Sequence, residues 1–278
     1  MIILSIVKDG KVIFSYSSFS QFKKCPYAFF LAKIKRVQTS YDKTYTVPGL
    51  ILHSAAESLI NNKDEFQFTD EGLNKQLDFY ISDPDVHIDE IYGSREVLFS
   101  KLKTGSNFLQ QFIRLNSFNS LKLYSELTFG DYYGEPLTLT PKVEIQGSID
   151  LVAQKENNNV IIYDYKYTFS LKNLDLDQLL LYSLAVKKLL NLDARMAGYF
   201  LIPLNREQYF TFNEFDKQSF ISRINAAADK VLNHRFNPTD NPKNCQFCQF
   251  KEVCDKKPVL IEQPTQQTVK PEISNFSF

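Results

Sequence analysis

Residues 142–168 read KVEIQGSIDLVAQKENNNVIIYDYKYT, and this stretch decides the fold. Its apolar residues alternate or run together in short β-type blocks, and Asn157-Asn158-Asn159 supplies left-handed turn residues between them. Strands over 143–154 and 160–168 are therefore expected to pair as a hairpin. Side chains two apart in a strand project the same way, so Asp164 and Lys166 share a face, with Asp150 set beside them by the short turn. Downstream, DLDQLLLYSLAVKKLLNL (175–192) has helical spacing, RMAGYFLIPL (195–204) and EQYFTF (207–212) read as strands, and a helix is expected over about 216–235. Upstream, LKLYSELTFG (121–130) opens the alternating region. Strands, a crossover helix and further strands in a mainly helical chain predict an α/β protein with a central mixed β-sheet flanked by helices.

The N-terminal half adds the helices. IILSIV-KDG-KVIFSYS (2–17) places Asp9-Gly10 between two apolar runs, a hairpin signal. Ser18 or Ser20 can cap the helix that follows. In it Phe19, Phe22, Tyr27, Phe30, Leu31 and Ile34 take one side and Lys23, Lys24, Lys33, Lys35 and Arg36 the others. Pro26 marks a restart of that helix. Pro48-Gly49 leads into LILHSAAESLINN, where His53 and Glu57, four apart, share a face. Residues 64–120 read as helical, with a turn at 82–85 and a long helix from about Ser94 to Asn116. A polar loop then carries Cys245, Cys248 and Cys254, and the last residues hold three prolines and no periodicity.

Composition bounds the function. The chain has 278 residues, 32 Lys+Arg against 32 Asp+Glu, 24 Phe and 15 Tyr. Zero net charge argues against a nonspecific polycation while leaving room for a local basic groove. No apolar run approaches the roughly 18 residues of a membrane helix, and MIILSIVKDG lacks the pattern of a signal peptide, so a cytoplasmic protein is expected. In that compartment four cysteines read as metal ligands or free thiols rather than disulfides. No Walker-type phosphate loop is present, so the chain is not itself a helicase.

Two acids and a lysine at the end of a buried-type strand have a chemical use: the carboxylates hold Mg²⁺ or Mn²⁺ while the lysine orients a water. The bland alternative for a D-x-K triplet is a solvated ion pair, but VIIYDYK is an apolar run ending in charge, where sites sit in α/β sheets. Cys25, Cys245, Cys248 and Cys254 can form one four-thiolate site joining the two ends of the chain, and ligand type alone leaves zinc and an iron–sulfur cluster open.

With these pieces in order, the chain resembles the PD-(D/E)XK nuclease superfamily in its RecB-like branch, which includes AddB nuclease domains and CRISPR-associated exonucleases. SFSQFKKCPYAFFL (18–31) looks like the branch's opening signature, GLILH (49–53) its helix histidine, GSID (147–150) the first acid, and DYK (164–166) the second acid and lysine. QLLLY (178–182) is similar to its Q-x-x-x-Y helix, and the cysteine triplet completes the set. The resemblance implies a restriction-endonuclease-like core in a single nuclease domain over 1–256, with a helical insertion at 64–120, a catalytic sheet core at 121–212, a cysteine-rich loop at 237–256 and a disordered tail at 257–278.

It further implies a metal-dependent DNA exonuclease in which Asp150, Asp164 and Lys166 are catalytic and His53, Asp150, Asp164 and the Tyr165 carbonyl bind Mg²⁺ or Mn²⁺. Beside these, Glu126 in strand LYSELTF reads as a candidate additional acid near the metals. Gln178, Tyr182, Lys33 and Arg36 contact DNA, and the four cysteines hold a [4Fe–4S] cluster, with Zn²⁺ the alternative. A rival reading makes the chain an accessory DNA-binding subunit of a recombination or replication complex. Ile273, Phe276 and Phe278 resemble peptides that dock on sliding clamps. A zinc-stabilised structural protein is the third reading.

Overall fold

The computed structural model describes residues 6–39, 42–130, 136–156 and 159–255. The chain opens with a hairpin of β1 (Val7–Lys8) and β2 (Lys11–Phe14), turned by Asp9 and Gly10 at φ 51° and 75°, the positive pair a tight primed turn needs. Helix α1 (Tyr16–Lys24) follows, capped not by Ser18 or Ser20 but by Ser15, which closes a reciprocal box with Ser18 at the third helical position. Cys25 ends α1 and caps α2 (Pro26–Phe29), its sulfur accepting from the N–H of Ala28 at 3.4 Å, and a π-helical turn over Phe30–Ile34 continues it.

Helix α3 (Val47–Asn62) leads into α4 (Asp70–Ile81), α5 (Ile88–Tyr92) and the long α6 (Arg95–Phe118), capped by Ser94. Then come β3 (Lys122–Phe129), β4 (Leu137–Thr140), β5 (Val143–Ile145), β6 (Gly147–Gln154) and β7 (Val160–Lys166). Helix α7 (Leu176–Leu190), β8 (Met196–Leu201), β9 (Arg206–Thr211), α8 (Glu214–Leu232) and the short α9 (Pro242–Gln246) complete it.

The α/β architecture with mixed sheet and flanking helices is as expected, but the strands divide into two sheets, not one. Five strands run in the order β3-β6-β7-β8-β9, and four in the order β1-β2-β5-β4. The expected strand 143–154 is split at Gln146: Val143–Ile145 pairs in parallel with β2, whereas Gly147–Gln154 pairs with β3 and β7. Gly147, at φ 154°, stands where the chain changes sheets. The β7–β8 pair is parallel and α7 makes the crossover that such a pair requires.

Alternation along β7 sorts its side chains between two cores. Val160 and Ile162 pack with α7 and α8, so Asp164 and Lys166 continue on that face. Tyr163 and Tyr165 pack on the other face with α3 and α6, where Phe112 meets both rings edge-on. The active strand end is thus fixed from both sides. Gly105 permits the close approach of α6: a Cβ there would lie 3.0 Å from Ile202 and 3.2 Å from Leu52. Gly105→Val is accordingly expected to lower stability by about 1–3 kcal/mol through overpacking, read as a reduced urea midpoint.

No helix among the described residues is long and apolar enough to cross a membrane. The tail with Ile273, Phe276 and Phe278 lies outside the described residues.

Candidate active site

Four elements meet at the end of the five-stranded sheet. Asp150 on β6 and Asp164 on β7 are buried, Lys166 is partly exposed, and His53 reaches over from α3. Glu126 comes from β3. Ser125 pairs with Leu151 and Leu127 with Ile149, which sets Glu126 opposite Asp150. Its φ of 47° takes it out of the ladder. A non-glycine residue held in that region costs about 1–2 kcal/mol, and such outliers gather at functional sites. Ser148 fixes the result by donating to Glu126 Oε2 at 2.6 Å.

His53, Glu126 and Asp150 offer three ligand atoms within 4.8 Å of one another, the one such group of His, Cys, Asp or Glu among the described residues. The Tyr165 N–H donates to Asp150 Oδ2 at 2.6 Å, and Asp150 Oδ1 lies 3.4 Å from His53 Nδ1. His53 Nε2 lies 3.0 Å from the Tyr165 carbonyl oxygen. An imidazolium satisfies both oxygens by donating from each nitrogen. A neutral ring can donate from only one, leaving a lone pair facing an oxygen, an arrangement that a cation relieves. The donor set therefore fits a divalent ion.

The ionisation states follow the same geometry. Burial opposes charge on His53, but Asp150 first and then Asp164 and the Tyr165 carbonyl outweigh it and lift the imidazole to about 9. Burial likewise disfavours the Asp150 carboxylate, yet the His53 ring and the Tyr165 N–H hold its carboxyl below the usual range. Asp164 goes the other way. Burial raises it to about 6, with Lys166 opposing and Asp150 adding to the rise. Glu126 is raised by burial and then by Asp150. Acids crowded this closely attract a cation.

Asp164 itself is gripped rather than grouped with the three ligand atoms. Lys166 Nζ stands 2.6 Å from its Oδ2, and the Gln178 amide donates to its Oδ1 at 2.6 Å and to the Tyr182 hydroxyl at 3.0 Å. Gln178 and Tyr182 were expected to contact DNA, but both are buried, with the amide spent on Asp164. Helical spacing puts them on one face, and that face is covered by β7. Their place is behind the acid, and Gln178→Ala is expected to lower kcat about 10–100-fold with KM little changed, which steady-state kinetics would separate.

The expected basic strip is thinner than its count suggests. Lys23 is committed to Asp175 and Asp177 at 2.7 and 2.5 Å, whereas Lys24, Lys33, Lys35 and Arg36 are exposed. Sequence reading held Glu126 only as an extra acid. Its placement depends on the β3–β6 register and a left-handed backbone, neither of which alternation reveals.

The four cysteines converge elsewhere. Cys25, Cys245, Cys248 and Cys254 line one cavity of about 310 Å³ together with Tyr27, Ala28, Leu31 and Phe250. Phe250 is buried against Ala28 and Leu31, and the Asn244 side-chain amide donates to the Lys24 carbonyl at 2.9 Å, so the C-terminal loop is seated on the N-terminal helices. Burial, then Cys25, Cys248 and Cys254, push the Cys245 thiol up. A thiol raised in this way needs a cationic centre to become a ligand.

A family model described as the PD-(D/E)XK nuclease superfamily matches residues 13–255, which runs from within β2 to just past the third cysteine of the loop. No curated protein matches significantly. Among solved structures, one titled crystal structure of SSO0001 is 18% identical over 66% of this chain and 93% of its own, at a TM-score of 0.34.

Proposed function

The chain belongs to the PD-(D/E)XK nuclease superfamily, and we propose that it is a metal-dependent deoxyribonuclease of the RecB-like branch, an exonuclease on single-stranded DNA or DNA ends. The observation that carries this reading is the meeting of His53, Glu126 and Asp150 beside the Asp164–Lys166 pair. Mg²⁺ or Mn²⁺ bound there would stabilise charge on a phosphoryl oxygen and lower the pKa of a water. Carboxylates suit both ions, and the imidazole nitrogen tilts the set toward Mn²⁺.

The chain's own groups supply the rest. Asp150 and Glu126 hold their oxygens toward His53, with Asp150 aimed by the Tyr165 N–H and Glu126 by Ser148. The Tyr165 carbonyl faces the same space. Lys166, one residue beyond it, positions the attacking water with its ammonium and can stabilise that water as it loses a proton. Asp164, held by Gln178, keeps the lysine in place. Lys33 and Arg36 are read as backbone contacts for DNA, which position substrate without reading sequence.

The cysteine cavity is read as the seat of a [4Fe–4S] cluster. Four thiolates lining one cavity suit such a cluster, with Zn²⁺ the alternative, and the centre's role is to fasten the C-terminal loop to α1 and α2.

The test is cleavage of end-labelled single strands with Mg²⁺ or Mn²⁺ by the wild-type chain, Asp164→Ala and Lys166→Ala. Wild-type cleavage that stops in EDTA and falls on the order of 10²–10³-fold in either variant is expected. Undiminished cleavage by both variants would sink the assignment.

A further inference from the structure

The helical insertion carried no chemical signal in the sequence, yet its Tyr92 packs against the same core as Tyr167, one residue beyond Lys166. Strand β7 ends at Lys166 and the next residues are Tyr167, Thr168 and Phe169. Phe169 is 65% exposed although its ring contacts Tyr167 edge-on, with centroids 6.5 Å apart. Tyr167 is held from beneath: its Cβ lies 4.0 Å from the Cβ position of Gly49 in the first turn of α3, and its ring edge 3.7 Å from that of Gly105 in α6. Beside that turn stands Tyr45, 67% exposed.

Two bonds tie the Tyr45 turn to the segment entering α5. The Lys43 N–H donates to the Asp85 carbonyl at 3.0 Å and the His87 N–H to Thr44 Oγ1 at 2.6 Å. Helix α5 ends with Tyr92, and Lys101 of α6 places its ammonium 5.4 Å from the centre of that ring. Burial and then the Tyr92 hydroxyl push the Tyr167 phenol up to about 12, and Tyr45 acts on Tyr92 in the same sense, so the rings form one neighbourhood.

A row of rings with a lysine over one of them, beginning one residue after the proposed water-positioning lysine, has a specific use. Stacking on aromatic faces binds unpaired bases of any sequence, while a paired base has its faces occupied by its neighbours. We propose that Phe169, Tyr167, Tyr92 and Tyr45, with Lys101, form a stacking track that carries the unpaired end of a DNA strand between the helical insertion and the catalytic pocket. The proposal rests on the nuclease reading above and deepens it: the substrate is a single strand or a frayed end, and Phe169 contacts the base nearest the reacting phosphate.

The experiment uses the full chain in EDTA, so that binding is measured without cleavage. Binding of a labelled oligothymidylate and of a blunt duplex is compared for wild type, Phe169→Ala, Tyr45→Ala and Phe169→Trp. Phe169→Ala is expected to weaken oligothymidylate binding roughly tenfold and duplex binding hardly at all, and to raise KM for the single strand in Mn²⁺ more than it lowers kcat. The chain has no tryptophan, so Phe169→Trp installs a lone reporter whose emission should be quenched by oligothymidylate and not by duplex. Wild-type binding by Phe169→Ala, or unchanged emission when oligothymidylate binds, overturns the track. If wild type cleaves while those results appear, the track alone fails; if wild type neither binds nor cleaves DNA, the nuclease reading falls with it.

Discussion

Asp150→Asn should lose metal-dependent cleavage by on the order of 10³-fold or more while keeping the fold. The substitution keeps shape and volume, and one amide oxygen can still accept the Tyr165 N–H that Asp150 Oδ2 takes at 2.6 Å. What disappears is charge at the point where His53, Glu126 and Asp150 converge. The amide nitrogen also faces the imidazole as a donor, repelling the cation it replaces a ligand for. Urea unfolding of the metal-free variant should move by about 1.5–3 kcal/mol, since the Tyr165 N–H keeps its acceptor while the His53–Asp150 charge pair is lost. A collapse in stability together with activity would instead assign Asp150 to the fold.

Cys25→Ser should carry the second large effect, on stability rather than chemistry. Cys25 is the only one of the four thiols on the N-terminal side of the chain, and it sits between α1 and α2. The described contacts seating the loop include the small core of Ala28, Leu31 and Phe250, the Asn244–Lys24 bond and the Tyr27–Asp255 bond. A ligated centre would add several kcal/mol to that seat. Its loss should lower the melting temperature by roughly 6–12 °C for about 3 kcal/mol, with the charge-transfer absorbance near roughly 400 nm bleached. The folded fraction should cleave at a near-normal rate, because the catalytic groups lie on α3, β3, β6 and β7. Equal absorbance and melting in variant and wild type would remove the cluster from the account.

Much of this fold was legible because local chemistry and global structure agree. Asp9-Gly10, Ser94 and Pro26 act where turn, cap and helix-start rules place them. VIIYDYK is a strand whose buried residues feed two cores while Asp164 and Lys166 share one face. The same pattern could not divide the strands between two sheets, since Val143–Ile145 and Gly147–Gln154 alternate alike and only their partners differ. Nor could helical spacing say which face of α7 is covered. Gln178 and Tyr182 do lie together, but toward Asp164 rather than solvent. Glu126 was visible as a strand glutamate, and its value depends on a left-handed backbone that propensity rules disfavour. The aromatic group was hidden for a related reason: Tyr45, Tyr92 and Tyr167 are far apart in sequence and come near one another only in the fold.

The most direct test of the central claim, that the His53–Glu126–Asp150 group holds the ion for cleavage, is titration of Mn²⁺ into the metal-free protein followed by electron paramagnetic resonance of the free ion. Wild type should deplete the free-ion signal in the concentration range that supports cleavage, and Asp150→Asn should leave it undiminished there. Equal depletion by both proteins, or cleavage by wild type with all of its Mn²⁺ still free, would contradict the account.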